Sequence, residues 1–359
     1  MMLRMRDGPS VKIFTVLSLV LSACATGGNL SRIEDSQGLP TEVGADLHRF
    51  EVREGVVPRP SALAVRQDAV PLSRKNKLSK KSSRVQSPTF EKAAVLKDRG
   101  PHSLDSPAPS VFEYPQRRPK VDPIWVGEKA TYDINYLGMN AGDFTLQVLP
   151  FKEINRRKVY HVFGEAKSSK VFSLFYSLKD TIETFIDYQA WAPHRFHIVL
   201  DESKQKRNSL ELYDSEKGET FFWNRWNHHK KGYIEIKDRF PMKPLSQDSL
   251  SSLMYLRTQE LQDGDVVRFP VISEGKNWEA EVTVLRREMI NSPLGRVRAI
   301  VLKPETKYQG ILKKQGDSFI WLTDDSRKVL LRLEAKVRIG TVVAVLKSFE
   351  SGMRSDSDR

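Results

Sequence analysis

A single cysteine, Cys24, occurs in the 359 residues, so no intrachain disulfide can form and multi-thiolate metal sites are excluded. Histidine is scarce as well: the groupings are His228-His229 and His194 with His197. On a strand, residues one or three apart point to opposite faces, so neither pair converges on one metal ion. There is no phosphate-cradling glycine loop and no nucleophile with a matched base. The composition therefore predicts a chain with no metal, no cofactor and no catalytic residue, which is to say not an enzyme. Hydrophobic residues make up 39% and aromatics 9%, with a mean hydropathy of −0.46, low enough to predict that part of the chain is unpacked.

The first residues read as an export signal. Arg4 and Arg6 give a positive start, and Ile13 to Leu21 form an apolar run of roughly ten residues, short of the roughly twenty that span a bilayer. Leu21-Ser22-Ala23-Cys24 resembles the bacterial lipobox, whose cysteine takes a diacylglyceryl group. Residues 1–23 are thus expected to be a lipoprotein signal peptide and Cys24 the acylated anchor to a membrane. Ala25, rather than aspartate, favours an outer-membrane destination facing the periplasm over the inner membrane.

Residues 24–123 are rich in Ser, Pro, Gly and charge and show no sustained period, the texture of a disordered, basic tether. Within it Arg74, Lys75, Lys77, Lys80, Lys81 and Arg84 form a basic cluster that a solvated stretch keeping the linker extended explains first; the functional alternative is contact with an anionic surface, either lipid headgroups or cell-wall polymer. An exported protein has no nucleic acid to meet, and the net charge of +13 bears on adhesion rather than fold.

From residue 124 to 350 apolar and polar residues alternate between Gly, Asn, Asp and Pro breaks, which predicts a β-rich domain. Strands are expected over Glu128–Leu137, Asp143–Phe151, Lys158–Ala166, Asp180–Tyr188, His194–Leu200, Ser209–Tyr213, Glu219–Trp223 and Gly232–Lys237. Further strands are expected over Asp265–Ile272, Trp278–Arg287, Gly295–Lys303, Ser318–Thr323, Val329–Val337 and Gly340–Phe349. The fold class is mainly β: a large curved antiparallel sheet, or two packed sheets, with one face buried. One helix interrupts it, capped by Asp248, with Leu250, Leu253, Met254 and Leu261 on one face. Val171 to Leu178 reads as a short helical turn or a loop dipping into the core. Residues 351–359 are expected to be a disordered tail.

Gly127-Glu128 with Tyr132, Ala141-Gly142, Asp180, Asp248-Ser249-Leu250-Ser251 with Tyr255 and Arg257, Gly264-Asp265, Trp321-Leu322-Thr323-Asp324-Asp325 and Ile339-Gly340 stand in an order that resembles the bacterial family called domain of unknown function 3108. The resemblance covers about Gly127 to Glu350. Leu330 stands where that family has a proline. The resemblance implies an exported antiparallel β protein, similar in shape to the half-barrel folds of lipoprotein carriers, and assigns no activity.

Phe222, Trp223, Trp226 and Tyr233, together with Leu250, Leu253, Met254 and Arg257, are the candidate ligand or partner surface, with core packing as the alternative for the aromatics. Arg257 could instead pair with Asp180 or Asp324. Asp324-Asp325 reads as a turn rather than a catalytic dyad. Three functions stay open: a noncatalytic envelope lipoprotein binding an apolar or amphipathic ligand such as a lipid, a module docking another envelope protein or the cell wall, and a hydrolase with an unrecognised acidic site.

Overall fold

The computed structural model describes residues 45–55, 112–308, 311–312, 317–337 and 339–354. All belong to one compact unit; a second unit, 57–111, lies outside the described residues. The expected signal peptide, Cys24 and the basic cluster at 74–84 also lie outside them.

The strands are β1 (Arg53–Glu54), β2 (Val126–Tyr136), β3 (Met139–Ile154), β4 (Arg157–Ser168), β5 (Lys179–Asp187), β6 (Pro193–Glu202), β7 (Gln205–Asp214), β8 (Glu219–His228) and β9 (Gly232–Pro241). After the helix α1 (Ser249–Thr258) come β10 (Val266–Ser273), β11 (Lys276–Ser292), β12 (Gly295–Tyr308), β13 (Ile311–Leu312), β14 (Ser318–Thr323), β15 (Leu330–Lys336) and β16 (Thr341–Met353). They form one antiparallel sheet in the order β10-β11-β12-β14-β15-β16-β2-β3-β4-β5-β6-β7-β8-β9, with β1 added to β3 and β13 to β12. Hairpin connection explains nearly every neighbour. The exception is β16 with β2, where Leu346 lies opposite Tyr132 and joins the two ends of the sheet-forming sequence.

Each strand alternates, as a period of two requires. On the inner face Tyr132, Leu146, Val162, Ile182, Ile198, Val284, Leu302, Ile320 and Ala344 join one core, which the α1 residues Leu250, Leu253, Met254 and Leu256 also enter. Asp248 caps α1: its carboxylate accepts from the backbone N–H of Leu250 and Ser251 and from the Thr184 hydroxyl, while Ser251 accepts from the Asp248 N–H. The sheet curls enough for its two ends to meet. The β10–β11 turn reaches β7 and β9, where Gly275 N–H donates to Glu211, Arg207 pairs with Glu274 at 2.8 Å, and Asn277 donates to the Pro241 carbonyl. No backbone ladder closes the circle between β9 and β10.

The tether reading of 24–123 needs correction at its described parts. The outer face of β3 to β8 presents Ile154, Val159, Phe185, Leu210, Leu212 and Trp223, and Leu47 and Phe50 from the 3₁₀ turn Ala45–Phe50 cover them in a second core. Before β2, Ile124 is buried in the inner core, and Asp122 accepts from Arg118 and Tyr160. These segments fold because both faces of that part of the sheet are apolar, and the second face needs a cover. At the other end β16 continues to Met353, past the expected domain end at 350.

Candidate functional site

The strands β14, β15 and β16 are buried on their inner side by Ile320, Leu333 and Ala344. On the outer side Trp321, Arg332 and Val345 lie in cross-strand register. The long β11–β12 hairpin runs past the end of β14 and brings Glu288, Ile290, Asn291 and Ser292 alongside. Together with Leu331, Glu334 and Leu346 these residues line a cleft of about 350 Å³.

Trp321 is positioned at both ends of its indole. Its Nε1–H donates to Glu288 at 2.7 Å, and the Arg332 guanidinium stands 5.3 Å from the ring centroid while pairing with Glu334. The Trp321 and Arg286 contacts hold the Glu288 carboxyl below its ordinary pKa. The result is the face of Trp321 flanked by charges of both signs.

The eight side chains expected to make one surface are distributed over several places. Phe222 and Trp226 point to the inner face of β8, and Trp226 donates to Gln205; Trp223 points outward into the second core and donates to Glu235. Tyr233, on β9, is exposed. Leu250, Leu253 and Met254 are packed in the inner core and present no accessible face.

Arg257 is buried as well, and its partner is Glu128, contacted by both guanidinium Nη atoms at 2.6 and 2.9 Å. The same guanidinium donates to the Pro123 and Arg327 carbonyls, and Arg327 adds a second ion pair to Glu128 while stacking 3.6 Å over Trp125. This cluster ties α1, the start of β2 and the β14–β15 turn together, so Arg257 is a structural residue. Asp325 caps that turn through the Arg327 and Lys328 N–H groups, and Asp324 pairs with Arg287 and Arg298, as a turn role requires.

Three further acidic clusters are buried. Asp180 and Glu202 face each other, with Tyr176 and Gln205 donating to Glu202; burial pushes both carboxyls above their ordinary range. Glu183 joins His161 and His197 across three strands, and Asp187 joins Arg157 and His194; burial works to raise both carboxyls, but these donors hold them low. Among the described residues no group of three or more His, Cys, Asp or Glu is placed to hold a metal ion, and no helix is long and apolar enough to cross a membrane.

Sequence reasoning passed over Arg332, Glu288, Ile290 and Val345 and read Trp321 only as buried. The alternation of β14 to β16 shows which residues share a face, but not that a hairpin lies beside them.

A search of curated proteins found no match to the chain. Among solved structures it is similar to a beta-barrel-like protein of domain of unknown function DUF1849 from Brucella abortus, at 10% identity and a TM-score of 0.41, covering 64% of this chain and 98% of that one. It is also similar to an exported protein with a YmcC-like fold from Bacteroides fragilis, at 9% identity and a TM-score of 0.29, covering 67% and 99%. A third likeness is to a lipoprotein from Parabacteroides distasonis, at 9% identity and a TM-score of 0.28, covering 67% and 100%. The profile described as protein of unknown function (DUF3108) matches residues 131–347, which hold the curled sheet, α1 and the cleft alike, and the chain belongs to that family.

Proposed function

We propose that this is a lipid-anchored protein of the bacterial envelope that binds an amphipathic ligand, such as a lipid, without catalysing a reaction. The outer cleft carries the reading: Trp321, Ile290 and Val345 offer its apolar side chains, and Arg332 stands at its margin for an anionic group. The lipobox-like Leu21 to Cys24 supports the anchor, and Ala25 favours the outer membrane, facing the periplasm, over the inner membrane. A second reading, docking of another envelope protein, is favoured by β9, an edge strand of ten residues with Tyr233 and Ile236 exposed.

Native mass spectrometry of the gently purified chain tests the first reading. A copurifying amphiphile that is lost from Trp321→Ala supports it. A ligand-free protein that takes up no added lysophospholipid removes the carrier role and leaves docking.

A further inference from the structure

Strand direction puts seven connections on one rim of the sheet; two of them, β10–β11 with Glu274 and β12–β14 with Asp317, are acidic, and hydrogen bonds tie the other five into a row. Tyr136 donates to the Ile339 carbonyl, linking the β15–β16 and β2–β3 turns, and the Leu137 side chain packs against Gly340. Ser169 donates to the Asn140 carbonyl, which joins the β2–β3 turn to the β4–β5 loop. Ser203 N–H donates to the Ser177 carbonyl, and His229 N–H to the Lys204 carbonyl, extending the row to the β6–β7 and β8–β9 turns.

The β4–β5 loop divides its side chains sharply. Phe172, Tyr176 and Leu178 enter the core, while Val171, Leu174 and Phe175 stand outward at 68%, 80% and 81% exposure. Leu137, Met139 and Ile339 on the neighbouring turns are exposed by 58%, 56% and 60%. Six exposed apolar side chains on three neighbouring turns form the kind of patch that marks an interaction surface.

Charge identifies the partner. In these five turns residues 137–140, 169–178, 203–204, 229–231 and 337–340 include no Asp or Glu, and Lys170, Lys230 and Lys231 are exposed there, while Lys204 is buried over the Tyr176 ring. The turns of the opposite rim mix both signs, with Glu216, Asp263, Asp324 and Asp325 beside Arg156, Lys217, Arg327 and Lys328. Single apolar side chains on the tips of separate turns form no groove for a protein segment, but a headgroup layer yields to any contour and adds anionic charge opposite the lysines.

We infer that this rim docks on an anionic phospholipid bilayer, with Leu174 and Phe175 inserted at the headgroup boundary. The inference rests on the lipid-anchored reading only for a bilayer within reach; ligand retention by the Trp321 cleft is a separate readout.

Flotation with vesicles tests it, using the chain from residue 24 onward with Cys24→Ser so that no acyl group contributes. The chain is expected to float with phosphatidylethanolamine vesicles containing phosphatidylglycerol and to stay behind with phosphatidylcholine alone. Leu174→Ser with Phe175→Ser, at positions too exposed to disturb folding, is expected to lower the bound fraction at least about tenfold. Because Cys24 is the sole cysteine, Phe175→Cys in the Cys24→Ser background accepts one environment-sensitive dye, whose emission is expected to shift to the blue on the anionic vesicles. Absence of binding, binding unchanged by the double substitution (the result if the basic cluster at 74–84 does the work), or binding without a dye shift overturns the inference.

Discussion

Arg257 shows how a side chain can be read correctly in type and wrongly in partner. Its helix position beside Leu253 and Met254 marks it as inward-facing, yet the sequence points to Asp180 or Asp324 and not to Glu128. The choice falls to Glu128, 129 residues away, because β2 starts where α1 ends, a fact of topology rather than of local pattern. A buried carboxylate stripped of one of its two guanidinium partners is poorly compensated. Arg257→Ala is therefore expected to destabilise the domain by about 3–5 kcal/mol in urea unfolding. Asp248 and Asp325 were legible because their partners, Leu250, Ser251, Arg327 and Lys328, lie within three residues.

Every strand expected from alternation is present, generally longer than expected, whereas β1 and β13 were invisible because two residues cannot show a period. The 3₁₀ turn Ala45–Phe50 was missed for a different reason. Leu47 and Phe50 are lone apolar residues in a polar stretch, and their burial comes from an outer sheet face that alternation alone assigns to solvent. With Phe50 fully buried, Phe50→Ala is expected to remove about 3–5 kcal/mol of stability by chemical denaturation, whereas a true tether residue would change nothing measurable. At α1, Asp248→Ala deletes the acceptor of two backbone N–H groups and of Thr184, with an expected loss of about 1–2 kcal/mol on the same assay.

One of the contacts between the two ends of the curled sheet is titratable. Glu211, fully buried on β7, accepts from Gly275 N–H of the β10–β11 turn and from the Tyr213 hydroxyl. Burial raises its pKa to about 7, against the pull of those two donors. The folded state thus holds this proton more tightly than the unfolded chain. The associated stability is complete below the unfolded value of about 4.5 and is lost as pH rises through about 7. The Asp180–Glu202 pair shifts in the same direction. Thermal stability is accordingly expected to fall between about pH 5 and pH 8, and the fall to shrink in Glu211→Gln, whose amide does not ionise. A curve as steep in that variant as in the parent would remove Glu211 from this role. The curved antiparallel sheet was legible in the sequence. The meeting of its ends was not, because Glu211, Glu274 and Gly275 acquire their relation only once the strands have turned full circle.

The central claim, an amphipathic guest over Trp321, is tested most directly by hydrogen exchange of the full-length chain with and without lysophosphatidylglycerol below its micelle concentration. The account predicts slowed exchange at residues 288–292 and 331–334, abolished by Trp321→Ala, with no change at 171–175 until a bilayer is supplied. Unaltered exchange around the cleft, or protection confined to β9, would contradict it.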